Sequence, residues 1–419
     1  MDRRTFMKTT ALATASLGFG RFVHAADPAF DPSPAHGWRV FEVTTRAEPA
    51  VNGATQVWLP LPAVEDAAWI RPMGNLWQGN AASVQDVRDP VYGARMLAAR
   101  WNAGEPAPVL EVVSRFATRD RAIDLRRPGK VAPLDRATRT LYTQATKLLP
   151  TDGIVRKTAA EITRRAKTDL DKARAIYEWI VDNTQRNPKT RGCGLGDIRF
   201  MLETGDLSGK CADLNALYVG LARAAGLPAR DVYGVRVADS RFGYKSLGKS
   251  GDISKAQHCR AEVWLAGFGW VPVDPADVRK VILEEKPNLT LADDVVREVK
   301  TMLWGGWEGN WMGYNYAHDV RLPGSALLRG ILIAPLTVSY LIIALGLLTV
   351  FNQMGIRPSL WATGIGHVVI NLPLCFAITY AAMGDHQKNA ERAARETLAL
   401  PPLTYGDPVM APVADALRK

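Results

Sequence analysis

The sequence predicts an α+β chain in several parts: a small β-sandwich, a mixed core of helices and strands, and a pair of long apolar helices. Three observations predict this. Apolar residues recur at every second position in short runs between Trp38 and Arg127. After Pro128-Gly129 they recur every three or four positions, as on one face of a helix. After Pro323-Gly324 come two long apolar runs.

The first residues read as a targeting segment. Asp2-Arg3-Arg4-Thr5-Phe6-Met7-Lys8 resembles a twin-arginine export signature, and a weakly apolar stretch and Val23-His24-Ala25 follow it. The expected signal peptide is 1–25, with export to the periplasm. Ala26 to Pro34 is a polar linker. Phe41 and Val43 alternate with polar residues, as do Val57, Leu59 and Leu61, and then Leu110, Val112 and Phe116. Strands with one buried face follow this period, so 35–130 is assigned to a β-sandwich.

A second unit is expected over 135–325. Ala173, Ile176, Tyr177, Ile180 and Val181 share one helical face. Another helix is predicted from Cys211, with Leu214, Leu217, Tyr218, Leu221 and Ala222 as its apolar stripe and Gly226 and Pro228 as its stop. Arg241 to Ser254 is polar and rich in Gly and Ser, and reads as a surface loop. Two apolar runs, 330–351 and 360–383, are each long enough to cross a bilayer, which takes about 20 helical residues. They make 326–384 a candidate membrane hairpin that offers anchoring, and 385–419 is a charged, then Pro-rich tail.

Composition narrows the function. The chain has 419 residues, 47% of them apolar and 22% charged, so it can bury real cores. Its formal net charge of +10 favours acidic partners, but export sets nucleic acid aside. Four cysteines do not make a disulfide scaffold and lack the paired spacing of a zinc site, so neither a metal nor a cofactor is expected.

Cysteine chemistry is nevertheless the strongest signal. A thiol is nucleophilic as thiolate, so something must lower its pKa from about 8.5. Cys211 follows Ser208-Gly209-Lys210 at a predicted helix start, where the helix dipole and free N–H groups favour a thiolate and a developing oxyanion. Gly209 would allow a substrate chain close approach. The run from His258 to Leu265 reads as a strand, with Cys259, Ala261, Val263 and Leu265 on one face and His258, Arg260, Glu262 and Trp264 on the other. A turn near Ala266-Gly267 brings Asp274 opposite His258 or about one pair away. Cys211, His258 and Asp274 then form nucleophile, base and orienter.

These segments resemble the transglutaminase-like superfamily. The likeness lies in Gly209-Lys210-Cys211-Ala212-Asp213-Leu214-Asn215-Ala216, in His258 with Glu262, and in Gly269-Trp270-Val271-Pro272-Val273-Asp274-Pro275, in the family's order. It extends over roughly 38–325, including Cys193 and the tryptophans Trp304, Trp307 and Trp311. The resemblance implies a papain-like α+β fold and attack by Cys211 on an amide of a protein or peptide substrate, through a thioester. The acceptor is water or an amine, and hydrolysis is the reading adopted; a catalytically silent envelope-binding protein is the alternative. Gly209, Glu262 and Trp264 are the expected substrate or oxyanion supports. Arg260 stands where many members carry tryptophan, which bears on substrate preference. Cys193 and Cys259 are expected either as a disulfide that braces the histidine strand and leaves Cys211 unpaired, or as two reduced, partly buried thiols. In the tail, Ile370-Asn371-Leu372-Pro373 and Asn389-Ala390-Glu391-Arg392-Ala393-Ala394-Arg395 resemble a fragment of a polyamine-type ABC-transporter permease, without the glycine that should follow. Two segments cannot build a transport path, so no transport is expected.

Overall fold

The computed structural model describes residues 37–50 and 53–325. The export segment, the two apolar runs and the permease-like tail lie outside the described residues. Among the described residues no helix is long and apolar enough to cross a membrane.

Six strands build the N-terminal part: β1 (Arg39–Ala47), β2 (Thr55–Leu61), β3 (Ile70–Gly79), β4 (Ser83–Arg88), β5 (Arg95–Trp101) and β6 (Leu110–Thr118). They form two antiparallel three-stranded sheets, ordered β1-β6-β3 and β2-β5-β4. Leu61, Leu97, Ala99, Trp101, Leu110 and Val112 fill a core of their own. The alternating positions read from the sequence supply it from β2 and β6, because a strand turns successive side chains to opposite faces. Strands β3 and β4 carry too few buried residues to show that alternation.

The second part begins with the two-residue strand β7 (Arg121–Ala122) and then helices α1 (Arg136–Thr143), α2 (Gly153–Thr163) and α3 (Asp169–Asn183). A Thr168 capping box starts α3, and Ala173, Ile176, Tyr177, Ile180 and Val181 are its buried face. Next come β8 (Gln185–Arg186), α4 (Ile198–Thr204), β9 (Ser208–Gly209), α5 (Cys211–Ala224) and β10 (Ala229–Arg236). The chain continues through β11 (Gln257–Leu265), β12 (Gly269–Val273), α6 (Pro275–Glu284), α7 (Asp294–Met302), β13 (Gly306–Trp307) and β14 (Trp311–Asn315). The antiparallel sheet β12-β11-β10-β14 covers α5, and α2, α3 and α6 pack around that helix.

Two expectations change here. Helix α5 is no half-exposed amphipathic helix: every residue from Asp213 to Arg223 is buried, Asp213, Asn215 and Arg223 included. Its polar residues survive burial because each has partners. Gly226 ends the helix at φ +85°, and the Leu227 N–H reaches the Ala222 carbonyl at 2.9 Å. The predicted surface loop at 241–254 is packed as well. Phe242, Tyr244 and Leu247 are buried in the main core, and the Leu247 carbonyl accepts from Arg236 at 2.8 Å. Three apolar residues among glycines and serines were enough to hold it down.

Candidate active site

The short parallel pair of β8 and β9 delivers the chain into α5, so that Cys211 is the first helical residue. The Asp213 carboxylate accepts from the N–H groups of Leu195 and Gly196 at 2.9 Å and of Lys210 at 3.0 Å. The Ala212 N–H donates to the Cys193 carbonyl at 2.9 Å. Together these bonds clamp the Cys193 loop onto the helix start. Asp213 and Leu214 also turn their N–H groups to the Lys210 carbonyl, which leaves the N–H of Cys211 itself for an oxyanion. Gly209 has a different task from the one expected. A Cβ there would lie 2.6 Å from the Asp213 side chain, so the glycine makes room for that carboxylate rather than for substrate.

His258 stands near the start of β11. The β11–β12 register pairs Ala261 with Val273, so Asp274 falls just past the strand, across from Arg260 and on the His258 face. Asp274 caps α6 there, accepting from the Asp277 N–H at 3.2 Å. His258 Nε2 donates to Asp274 Oδ2 at 2.7 Å, and Nδ1 is left for the thiol. Asp277, one helical turn on, brings a second carboxylate to 3.3 Å from Nε2. The sequence reading missed it, although Asp at the third position of a helix is a common cap. It also missed Asn215, one turn beyond Cys211. The Asn215 amide donates to Asp274 at 3.1 Å and to the Cys259 carbonyl at 2.7 Å, tying the nucleophile's helix to the orienter and to the histidine strand.

The charges around the imidazole are unequal. Burial and the Arg236 guanidinium disfavour imidazolium, but Asp277 and Asp274 outweigh them and push His258 up to about 9. Burial would raise Asp277, but Arg236, bonded at 2.5 Å, and His258 hold it well below the usual range. Burial, and then Asp277, raise Asp274. Arg260 does not reach the pocket. It lies 3.8 Å from Asp274 and stacks on Trp307 and Trp311 at 5.0 and 4.9 Å, so this departure from the family pattern touches the orienter rather than the substrate.

Cys193 and Cys259 are reduced thiols, as one of the two expectations had them, and they gather around Cys211, which the sequence did not suggest. The sulfurs of Cys193, Cys211 and Cys259 all lie within 4.8 Å of one another, and all three are unbridged. The Cys259 face of β11 is the one that α5 covers, so pointing away from His258 points it towards Cys211. Hydrogen bonds from Cys193 and then Cys259, with a further one from His258, hold Cys211 well below the ordinary thiol range despite burial. The donors move the other way. Cys193 is pushed up to about 12 by its bond to Cys211, and Cys259 rises through its bonds to both neighbours.

Comparison with known proteins places this geometry. Residues 156–275 match the model of the transglutaminase-like superfamily. An uncharacterized protein of Haemophilus influenzae is 38% identical over 286 residues, covering 65% of this chain and 76% of its own. The chain belongs to the transglutaminase-like superfamily. Solved structures similar to it include a candidate cysteine protease of Cytophaga hutchinsonii, at 16% identity over 68% of this chain and 93% of that one, TM-score 0.46. The periplasmic domain of TgpA from Pseudomonas aeruginosa is 17% identical over 63% and 80%, TM-score 0.31, and red sea bream transglutaminase 12% identical over 77% and 64%, TM-score 0.26. With Cys211 and His258 lining one cavity, this transglutaminase-like chain is, in general terms, a cysteine enzyme.

The transglutaminase-like site opens into a cavity of about 240 Å³ lined by Cys193, Cys211, His258 and Gln257. Its wall carries Arg186, Lys210, Arg236, Lys249, Lys255 and Lys280 and, among the described residues, no carboxylate. Arg186 and Lys280 meet Glu284, and Arg236 meets Asp277. Glu262 and Trp264 are not part of this cavity. Farther along β11, Glu262 is buried between Arg121 and Arg230, and Trp264 packs on Trp270 beside a separate cleft. A strand rises about 3.3 Å per residue, so four residues carry Glu262 well away from the thiol.

Proposed function

We propose that this transglutaminase-like chain is an exported cysteine amidase or peptidase that acts on acidic peptides. The observation that carries the reading is His258, held at 2.7 Å by Asp274 through Nε2, in the same cavity as Cys211 at the start of α5. The Cys211 thiolate attacks the amide carbonyl, and the oxyanion turns to the Cys211 N–H at the positive end of α5. The His258 imidazolium gives its proton to the leaving amine as the C–N bond breaks, leaving a thioester. Water then attacks the thioester with His258 as base, and the acid departs as the thiolate reforms. The cationic wall supports a substrate with carboxylates flanking the scissile amide. Arg3-Arg4 supports export, and the apolar runs after 326 support retention at the membrane.

Turnover of acidic peptide amides in ¹⁸O-labelled water tests the reading. Hydrolysis places label in the new carboxylate of wild type, and Cys211→Ala gives none. Incorporation of a primary amine in place of label would make the protein a transferase. Equal alkylation rates at Cys193, Cys211 and Cys259 at neutral pH would remove the activated nucleophile on which the reading rests.

A further inference from the structure

Sequence spacing gave no reason to expect a metal site, but the fold gathers three thiols from three separate segments. Cys193 comes from the loop before α4, Cys211 from the start of α5 and Cys259 from β11, and their sulfurs all lie within 4.8 Å of one another. Four-coordinate zinc binds sulfur at about 2.3 Å, which sets thiolates in one shell a little under 4 Å apart. The cluster needs small side-chain adjustments to reach that spacing and no rearrangement of the backbone.

The cluster borders the thiol cavity, whose lining includes Cys193 and Cys211. We propose that Cys193, Cys211 and Cys259 form a three-thiolate site for a thiophilic dication of the zinc class, with the fourth position turned to that cavity and taken by solvent. Each thiol enters without its proton: a bond to the metal replaces S–H, and the protons pass to solvent. Three thiolates around a dication leave one net negative charge on the complex. Lys210, Lys249 and Lys255 in the adjoining wall offset it. Because Cys211 is consumed, the metal-bound chain has no free nucleophile. The site rests on the positions of three sulfur atoms and stands whether or not Cys211 acylates.

The test uses the full chain, reduced and kept free of oxygen, titrated with Co(II) and then with Zn(II). One Co(II) per chain should give the sulfur-to-cobalt charge-transfer absorption of a tetrahedral thiolate site, and Zn(II) should abolish it. Zn(II) should also slow alkylation of Cys193, Cys211 and Cys259 together, in peptide-resolved mapping that reports Cys375 separately. Cys193→Ser and Cys259→Ser should each weaken binding at least tenfold, with unchanged far-ultraviolet circular dichroism. Should Cys259→Ser fail to fold, the half-buried Cys193 decides the matter. A folded, reduced chain with no charge-transfer band would overturn the site, as would a band that survives Cys193→Ser unchanged.

Discussion

At the scale of single residues, the active site is an argument about where two protons reside. Cys211 is held low by two thiol donors and His258 is raised to about 9 by Asp277 and Asp274, so thiolate and imidazolium coexist around neutral pH. The kcat/KM profile should therefore be a bell. Activity is lost in acid as Cys211 is protonated, well below the ordinary thiol range, and lost in alkali as pH rises through about 9. Asp274→Asn removes one of the carboxylates that raise His258. It should move the alkaline limb to lower pH and lower turnover by up to about 10⁴-fold, with the fold intact. Unchanged turnover in a well-folded Asp274→Asn protein would reduce Asp274 to the cap of α6. The same shift has a sign in stability. A histidine raised from about 6.5 to about 9 stabilises the fold fully below pH 6.5 and loses that contribution as pH rises through about 9. The melting temperature of wild type should fall across that window, and His258→Gln should flatten the slope.

At the scale of elements, the site depends on how a loop is fastened to a helix end. Gly194 sits at φ +98°, and a Cβ there would meet Asp213 at 1.9 Å, whereas Gly192 at φ +59° faces open space. Gly194→Ala should cost on the order of 1–3 kcal/mol in urea unfolding and release Cys193 to alkylation; Gly192→Ala should cost less. Equal losses would remove the clamp from the account. The sequence made much of this level legible. The 3.6-residue period gave α3 its buried face, and strand parity put His258 and Asp274 on one face of β11–β12. It could not show Asn215 at Asp274 or Asp277 at the imidazole, because a polar residue in a helix reads as solvated until its neighbours are known. Nor could it show the thiol cluster: parity said correctly that Cys259 points away from His258, but only the packing of α5 on that face says what lies there. Glu262 misled for the opposite reason. Four residues from His258 suggested shared chemistry, and two arginines distant in sequence claimed it instead.

At the scale of the whole molecule, charge is distributed for two purposes. Lys210, Lys249 and Lys255 line the thiol cavity, and reversing any one to Glu should lower kcat/KM for acidic peptides and weaken its dependence on salt. A neutral peptide should be nearly indifferent to the same changes. The other charges are structural. Glu262 is fully buried, bonded to Arg230 at 2.6 Å and to Arg121. Removing one partner of such a group costs about 3–5 kcal/mol, so Glu262→Gln should lower stability by that order while leaving the Cys211 alkylation rate of the folded protein near wild type. A slower Cys211 in that variant would show that the ion pairs also set the site.

Arg121 comes from β7, the strand that joins the N-terminal sheets to the second part, and it pairs with β13 there. Trp69, from the N-terminal side, lies against Trp307 and Trp311 at centroid distances of 5.2 and 6.3 Å, inside the core that surrounds α5. A fragment starting near residue 135 would lose a tryptophan from that core and strand Glu262 with half its counter-charge. The boundary visible in the composition is therefore no boundary in cooperativity. The two parts should melt together in one calorimetric transition, and the second should fail to fold when expressed without the first.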